Sequence, residues 1–327
     1  LAAEGFIATM NALNPFNAEV VKDRANLQQQ ADMIEQASKG LSTFKDRINA
    51  GAIGLRDESV TINAAPQRIV ALSPASVETL ATLNYAERVV GIAECTCTPD
   101  ALAAIPVVAG YEGVDLEQLI ALEPDLVFAG GSGFTPADAI AAMRAANITV
   151  VTIDPKGVEG VYRTMRLIGD AVGGSAPAAQ LVASVRADMA RLAALIPAGA
   201  RPKVFYEIDA TSTIYGLAPD DYAAELIGLA GGEPVTSGSP GVYEIALEKL
   251  VAAAPEVIVL GDAAYGTTAE AVTARPGWSA IPAVSGGAIR PVDGDLVTTP
   301  GPRLAAALAA LISAINPGIS VPTISTP

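Results

Sequence analysis

The side chains that most often do chemistry are nearly missing from this sequence. Its 327 residues contain no histidine, the commonest general base and metal ligand. Ordinary zinc sites are therefore not expected. The two cysteines, Cys95 and Cys97, are separated by one residue. They make neither a disulfide framework nor a good metal site, and read as small loop residues able to oxidise into a strained ring. What remains is the chemistry of recognition: carboxylates, tyrosines and a few arginines.

Two carboxylates stand out by their setting. LEQLIALEPDLVFAG (Leu116–Gly130) lies on LEKLVAAAPEVIVLG (Leu247–Gly261) without a gap. Each copy reads as a helix, a proline that stops it, a buried strand and a glycine at the strand end. Such self-similarity predicts two related lobes. Glu117 and Glu248 fall early in their helices, where the helix dipole favours a carboxylate. As a matched pair they also make acidic knobs on one rim of a bilobal body. Tyr111 lies six residues before Glu117, and Tyr243 five before Glu248. Phe134, Tyr215, Tyr265 and Trp278 also fall in predicted loops. With only 5% aromatic residues in the chain, this placement points to a cleft at the C-terminal ends of parallel strands. Trp278, in Arg275-Pro276-Gly277-Trp278, reads as structural.

The elements that position these residues alternate. Arg68–Ser73, Val89–Glu94, Asp125–Gly130 and Ile148–Asp154 are short apolar strands, with helices at Ala75–Leu83, Leu116–Leu122 and Pro136–Asn147. Gly157–Val172 is helical. Ser175–Ile196, as one helix of roughly 33 Å, reaches from one lobe to another. The rhythm resumes with strand Lys203–Ile208, helices Tyr222–Ala230 and Ala246–Ala253, strand Glu256–Gly261 and a closing helix, Pro302–Asn316. Apolar strands alternating with helices predict largely parallel sheets covered on both faces. The expected class is α/β: two Rossmann-like lobes with parallel sheets joined by a single long helix, plus an N-terminal helical extension. The boundaries are 1–58 for the extension, 59–174 for the first lobe, 175–197 for the connecting helix and 198–327 for the second lobe. Within the extension, Val20, Leu27, Ile34, Leu41 and Ile48 recur every seven residues. They predict an amphipathic helix, packed on its own protein or serving as a tether.

Composition narrows the class. The chain is 51% hydrophobic and 17% charged, with a net charge of −15. No run approaches the roughly 20 apolar residues of a spanning helix. The acidic balance, with no basic face, argues against nucleic acid. The opening Leu1-Ala2-Ala3 is compatible with what is left around a removed leader.

QRIVALSPASVETLATLNYAERVVGI (Gln67–Ile92) resembles the opening of the class III, helical-backbone substrate-binding proteins of ABC importers for ferric siderophores, haem and cobalamin. VDLEQLIALEPDLVFAG, YEIDATSTIYGLAPDDYAAELIGLAGGEPV and RPGWSAIPAVSGGAIRPVDGDLV are similar to successive parts of the same family. The likeness runs from about Thr61 to Asn316, and leaves the first 55 or so residues without a counterpart.

The resemblance implies a binding protein and not an enzyme. It would hold a metal chelate between its lobes and deliver it to a permease dimer. Glu117 and Glu248 would dock on permease arginines. Ser73, Tyr111, Tyr215, Tyr243, Asp295 and Arg303 would contact ligand, with Arg290 a further cation. No resident cofactor or protein-bound metal is expected, since iron or cobalt would travel in the ligand. The protein is expected to be exported to the periplasm or the outer face of the cytoplasmic membrane, and monomeric. A lipid anchor is left open. The alternative is a chelatase- or reductase-like enzyme on the same bilobal plan. Such enzymes rely on histidine or on several cysteines holding a cluster, and this chain has neither.

Overall fold

A computed structural model describes residues 52–53, 60–62, 64–95, 98–110, 113–131 and 135–324. The chain divides into two units, Leu1–Ala52 and Ile53–Pro327, and both lobes belong to the second. The long helix expected before residue 58 lies outside the described residues, as do Tyr111, Phe134 and Cys97. Cys95 is disulfide-bonded.

The first lobe is built on a six-stranded sheet. Its strands are β1 (Ile69–Leu72), β2 (Val89–Ala93), β3 (Val107–Gly110), β4 (Gly113–Val114), β5 (Leu126–Ala129) and β6 (Thr149–Thr152), in the order β4-β3-β2-β1-β5-β6. Every pairing is parallel except β3 with β4. Its helices are α1 (Pro74–Thr82), α2 (Leu116–Ala121), α3 (Ala137–Ala145) and α4 (Gly157–Ala171). Helix α5 (Ser175–Ala193) leads to the second lobe, an all-parallel sheet of β7 (Lys203–Glu207), β8 (Glu233–Val235), β9 (Val257–Leu260) and β10 (Ile289–Pro291), in the order β8-β7-β9-β10. Its helices are α6 (Tyr222–Leu229), α7 (Leu247–Ala253), α8 (Ala269–Thr273), α9 (Pro282–Ser285), α10 (Gly294–Thr298) and α11 (Leu304–Ile315). The expected α/β architecture with two lobes is therefore present. Helix α5 stops three residues before the expected Ile196, because Leu195 and Ile196 donate to Leu192 and Ala193 in a tightened last turn ahead of Pro197.

The internal repeat extends to backbone conformation. Glu123 and Ala254, each just before the proline, both adopt left-handed φ values, 45° and 52°. A residue before proline is pushed out of the helical region, so both helices end at the same step. The wiring is matched too. Asp125 accepts from the backbone N–H groups of Gln67 and Arg68 at the start of β1, and Glu256 accepts from Lys203 N–H at the start of β7. Arg68 donates to the carbonyls of Leu122 and Glu123, and Lys203 Nζ to that of Ala253. In both lobes a cation thus closes the C-terminal end of the repeat helix.

One apolar core runs through the connection between the lobes. Along α5, Ala178, Leu181, Val182, Val185, Met189 and Leu192 are buried at three- and four-residue spacings. They join Val158, Val161 and Met165 of α4 with Leu226, Leu308 and Leu311 of the second lobe. A Cβ on Gly169 would run into that of Ala178, so this glycine permits the close crossing of α4 and α5.

Candidate functional site

Ligands of open α/β sheets bind outside the carboxyl ends of the strands. In the first lobe those ends lead to Ser73, Gly130 and Asp154. In the second they lead to Ile208, Asp262 and Val292. Ser73 follows β1 with extended backbone and caps α1. Its hydroxyl accepts from Ser76 N–H at 3.3 Å and lies 2.9 Å from Ser76 Oγ. Ser-Pro is a good helix start, because serine accepts from the orphan N–H groups and proline lacks one. The side chain is 5% exposed and occupied by the cap.

Two charged clusters tie the lobes together beside these ends. In the first, Arg303, just before α11, meets Glu78 of α1 across 225 residues of sequence. Arg303 Nε donates to Glu78 Oε1 at 2.8 Å, and Nη2 donates to the same oxygen. Glu78 is 4% exposed, and its other oxygen has no hydrogen-bond partner. Burial pushes its pKa up against the pull of Arg303, and Asp293 and Asp295 push it further. Tyr265 places its hydroxyl 3.4 Å from Asp295 Oδ1. In the second cluster, Lys156, after β6, lies 3.8 Å from Asp154 and 3.5 Å from Asp220 of the second lobe. Asp221 next to it caps α6 and accepts from Tyr243 Oη at 3.1 Å. Burial raises the pKa of Asp221, and burial together with the Asp221 charge raises that of Tyr243. Glu225 of α6 accepts from Val158 N–H at 2.7 Å, capping α4 from the opposite lobe.

Both clusters are therefore acidic. Arg303 pairs with Glu78, which also feels the charges of Asp293 and Asp295, and Lys156 lies near Asp154, Asp220 and Asp221. Below the second lobe's strand ends, Tyr206 is 1% exposed with an unpartnered hydroxyl, and Asp262 holds one unpartnered oxygen. The cations nearby are committed. Arg275 grips fully buried Glu207 through two bonds of 2.6 and 2.7 Å, and stacks on Trp278 at 4.6 Å. Arg290 donates to the carbonyls of Gly287 and Ile289. Trp278 is 3% exposed and packs edge-on against Phe205, the structural part its sequence context suggested.

The structure places the remaining expected residues as follows. Tyr243 and Arg303 stand in the two clusters, where both are engaged by carboxylates. Asp295 adjoins the first cluster. Tyr215 is 39% exposed and bridges Asp209 and Glu244 through its backbone. Tyr111 lies outside the described residues. Glu117 and Glu248 are exposed in the first turns of α2 and α7. Sequence reasoning missed Glu78, Asp221, Glu225 and Asp262, since each takes its meaning from a partner or a depth set by the fold. A groove of about 1030 Å³, lined by Gly157, Ile196, Asp220, Asp221, Glu225 and Leu229, runs from the end of α5 to the Lys156 cluster.

The model of the periplasmic binding protein family matches residues 69–296. An ABC transporter substrate-binding lipoprotein of Bacillus subtilis, YvrC, is 33% identical over 266 residues, covering 80% of this chain and 83% of its own. A cobalamin-binding protein of Halobacterium salinarum is 28% identical, covering 79% of this chain and 72% of its own. Among solved structures, the periplasmic haem-binding protein BhuT, in complex with two haems, superposes with a TM-score of 0.67 at 30% identity, over 77% of this chain and 99% of its own.

Proposed function

The chain belongs to the periplasmic binding protein family, and on that premise we propose that it captures a neutral or cationic corrinoid between its lobes for an ABC importer. The observation that carries this reading is the charge of the interlobe clusters. In each, carboxylates outnumber the cation, and the cation is already paired: Arg303 with Glu78, which also feels Asp293 and Asp295, and Lys156 with Asp154 and Asp220 beside Asp221. An anionic ferric catecholate or a haem dipropionate would add negative charge to such a surface. A corrinoid carries peripheral carboxamides, whose N–H groups suit carboxylate acceptors. The likeness to a cobalamin-binding relative supports the same class.

On this reading the protein works outside the cytoplasmic membrane. No helix among the described residues is long and apolar enough to cross a membrane. Glu117 and Glu248, one per lobe on equivalent helices, are the carboxylates that meet the two permease subunits. The deciding experiment is calorimetric titration with cyanocobalamin, hemin, ferric enterobactin and cationic ferrioxamine B. Cyanocobalamin is expected to bind with micromolar to nanomolar affinity, about −8 to −12 kcal/mol. Tighter binding of hemin or ferric enterobactin would sink the corrinoid reading.

A further inference from the structure

Tyr265 is the most exposed large apolar side chain among the described residues, at 72%. Its exposure does not come from a loose loop. The residue ends a single 3-10 turn, Ala263–Tyr265, that follows β9 and is stopped by Gly266 in the left-handed region, φ 100°. The loop is pinned where Thr267 Oγ1 donates to Asp262 Oδ2 at 2.7 Å. The phenol itself reaches Asp295 Oδ1, 3.4 Å away on α10. Asp295 is close enough to Glu78 of the first lobe for its charge to be felt there. Strands β9 and β10, which lead into the two residues, are hydrogen-bonded neighbours with Leu260 opposite Pro291. Tyr265 thus stands at the interlobe edge, on a braced turn, with its ring in solvent. The other described tyrosines of the site are less available. Tyr243 is half-buried and bound to Asp221, and Tyr215 is tied through its backbone to Asp209 and Glu244.

We propose that the Tyr265 ring is the second lobe's stacking platform for a flat macrocyclic ligand, held in place by its hydroxyl against Asp295. The proposal rests on the functional reading above. A solvent-facing ring gains by being covered, through apolar burial and face-to-face contact. Tyrosine supplies that area with two side-chain torsions, and the Asp295 contact restricts them before ligand arrives.

The test titrates wild type, Y265A and Y265F with cyanocobalamin, with hemin and ferrioxamine B as parallel probes. Y265A should weaken cyanocobalamin binding by about tenfold. Y265F, which keeps the ring, should stay within about threefold of wild type by the same reasoning. Melting temperatures should not change, because a ring this exposed packs on little. An Y265A affinity equal to wild type would overturn the proposal. So would an Y265F loss as large as that of Y265A, since the hydroxyl and not the ring would then carry the contact. Should wild type bind hemin but not cyanocobalamin, the corrinoid reading falls and the three proteins are scored on hemin; should it bind only ferrioxamine B, which is not a flat macrocycle, both readings fall. Should wild type bind none of them, both readings fall.

Discussion

Replacing Arg303 by alanine removes the cation hydrogen-bonded to Glu78, a carboxylate 4% exposed at the interface of the lobes. Breaking a buried pair from one side costs about 3–5 kcal/mol, because an uncompensated charge is left behind. Arg303 keeps 26% of its side chain in solvent, which argues for the lower end. About 3 kcal/mol should lower the melting temperature by roughly 6–12 °C in a body of this size. The loss should also depend on pH. Burial already raises the folded-state pKa of Glu78 above its unfolded value, and Arg303 opposes that rise. Without Arg303 the folded-state pKa climbs further. A carboxyl with a raised folded-state pKa binds more protons folded than unfolded, so its stability contribution falls as pH rises from the unfolded value through the folded one. Toward acidic pH the variant protonates Glu78 more readily than the unfolded chain does, and the loss tends toward that of a hydrogen bond, about 1 kcal/mol. At pH 7.5 the buried charge or its protonation must be met. The melting-temperature gap between R303A and wild type, measured by calorimetry, should therefore widen from pH 5 to pH 7.5. A gap that is constant or narrows with pH would refute this account. E78Q/R303A, with no buried charge, should restore most of the loss at pH 7.5.

Two further outcomes follow from the fold. Reversing both rim carboxylates, E117R/E248R, should abolish corrinoid uptake in a transport assay while calorimetry gives an affinity within about twofold of wild type, since surface charges far from a ligand are screened. An equal loss of affinity and uptake would put these residues on the wrong surface. G169V should separate α4 from α5, because even a Cβ at this position meets Ala178. Overpacking of this kind costs about 1–3 kcal/mol, and an unchanged melting temperature would contradict the close crossing.

Much of this protein is local and could be read along the chain. The strands Ile69–Leu72, Leu126–Ala129 and Val257–Leu260 are uninterrupted apolar runs with proline or glycine within three residues of either end, and all are buried. The repeat showed in the sequence because Pro124 and Pro255 stop two helices at the same step, and proline does this wherever it falls. The short strands β3, β4, β8 and β10 escaped notice, since two to four residues carry little periodicity. Arg303 read as a ligand contact, and Glu78 as one acidic residue on a helix. Only the packing of α1 against the loop before α11 joins them, as it joins Glu225 to the N-terminus of α4 and Asp221 to Tyr243. Helix, strand and turn preferences act over a few residues and are written in neighbouring letters. The partner of a charge, and its distance from water, are set by segments up to 225 residues apart, and exist only once the chain has folded.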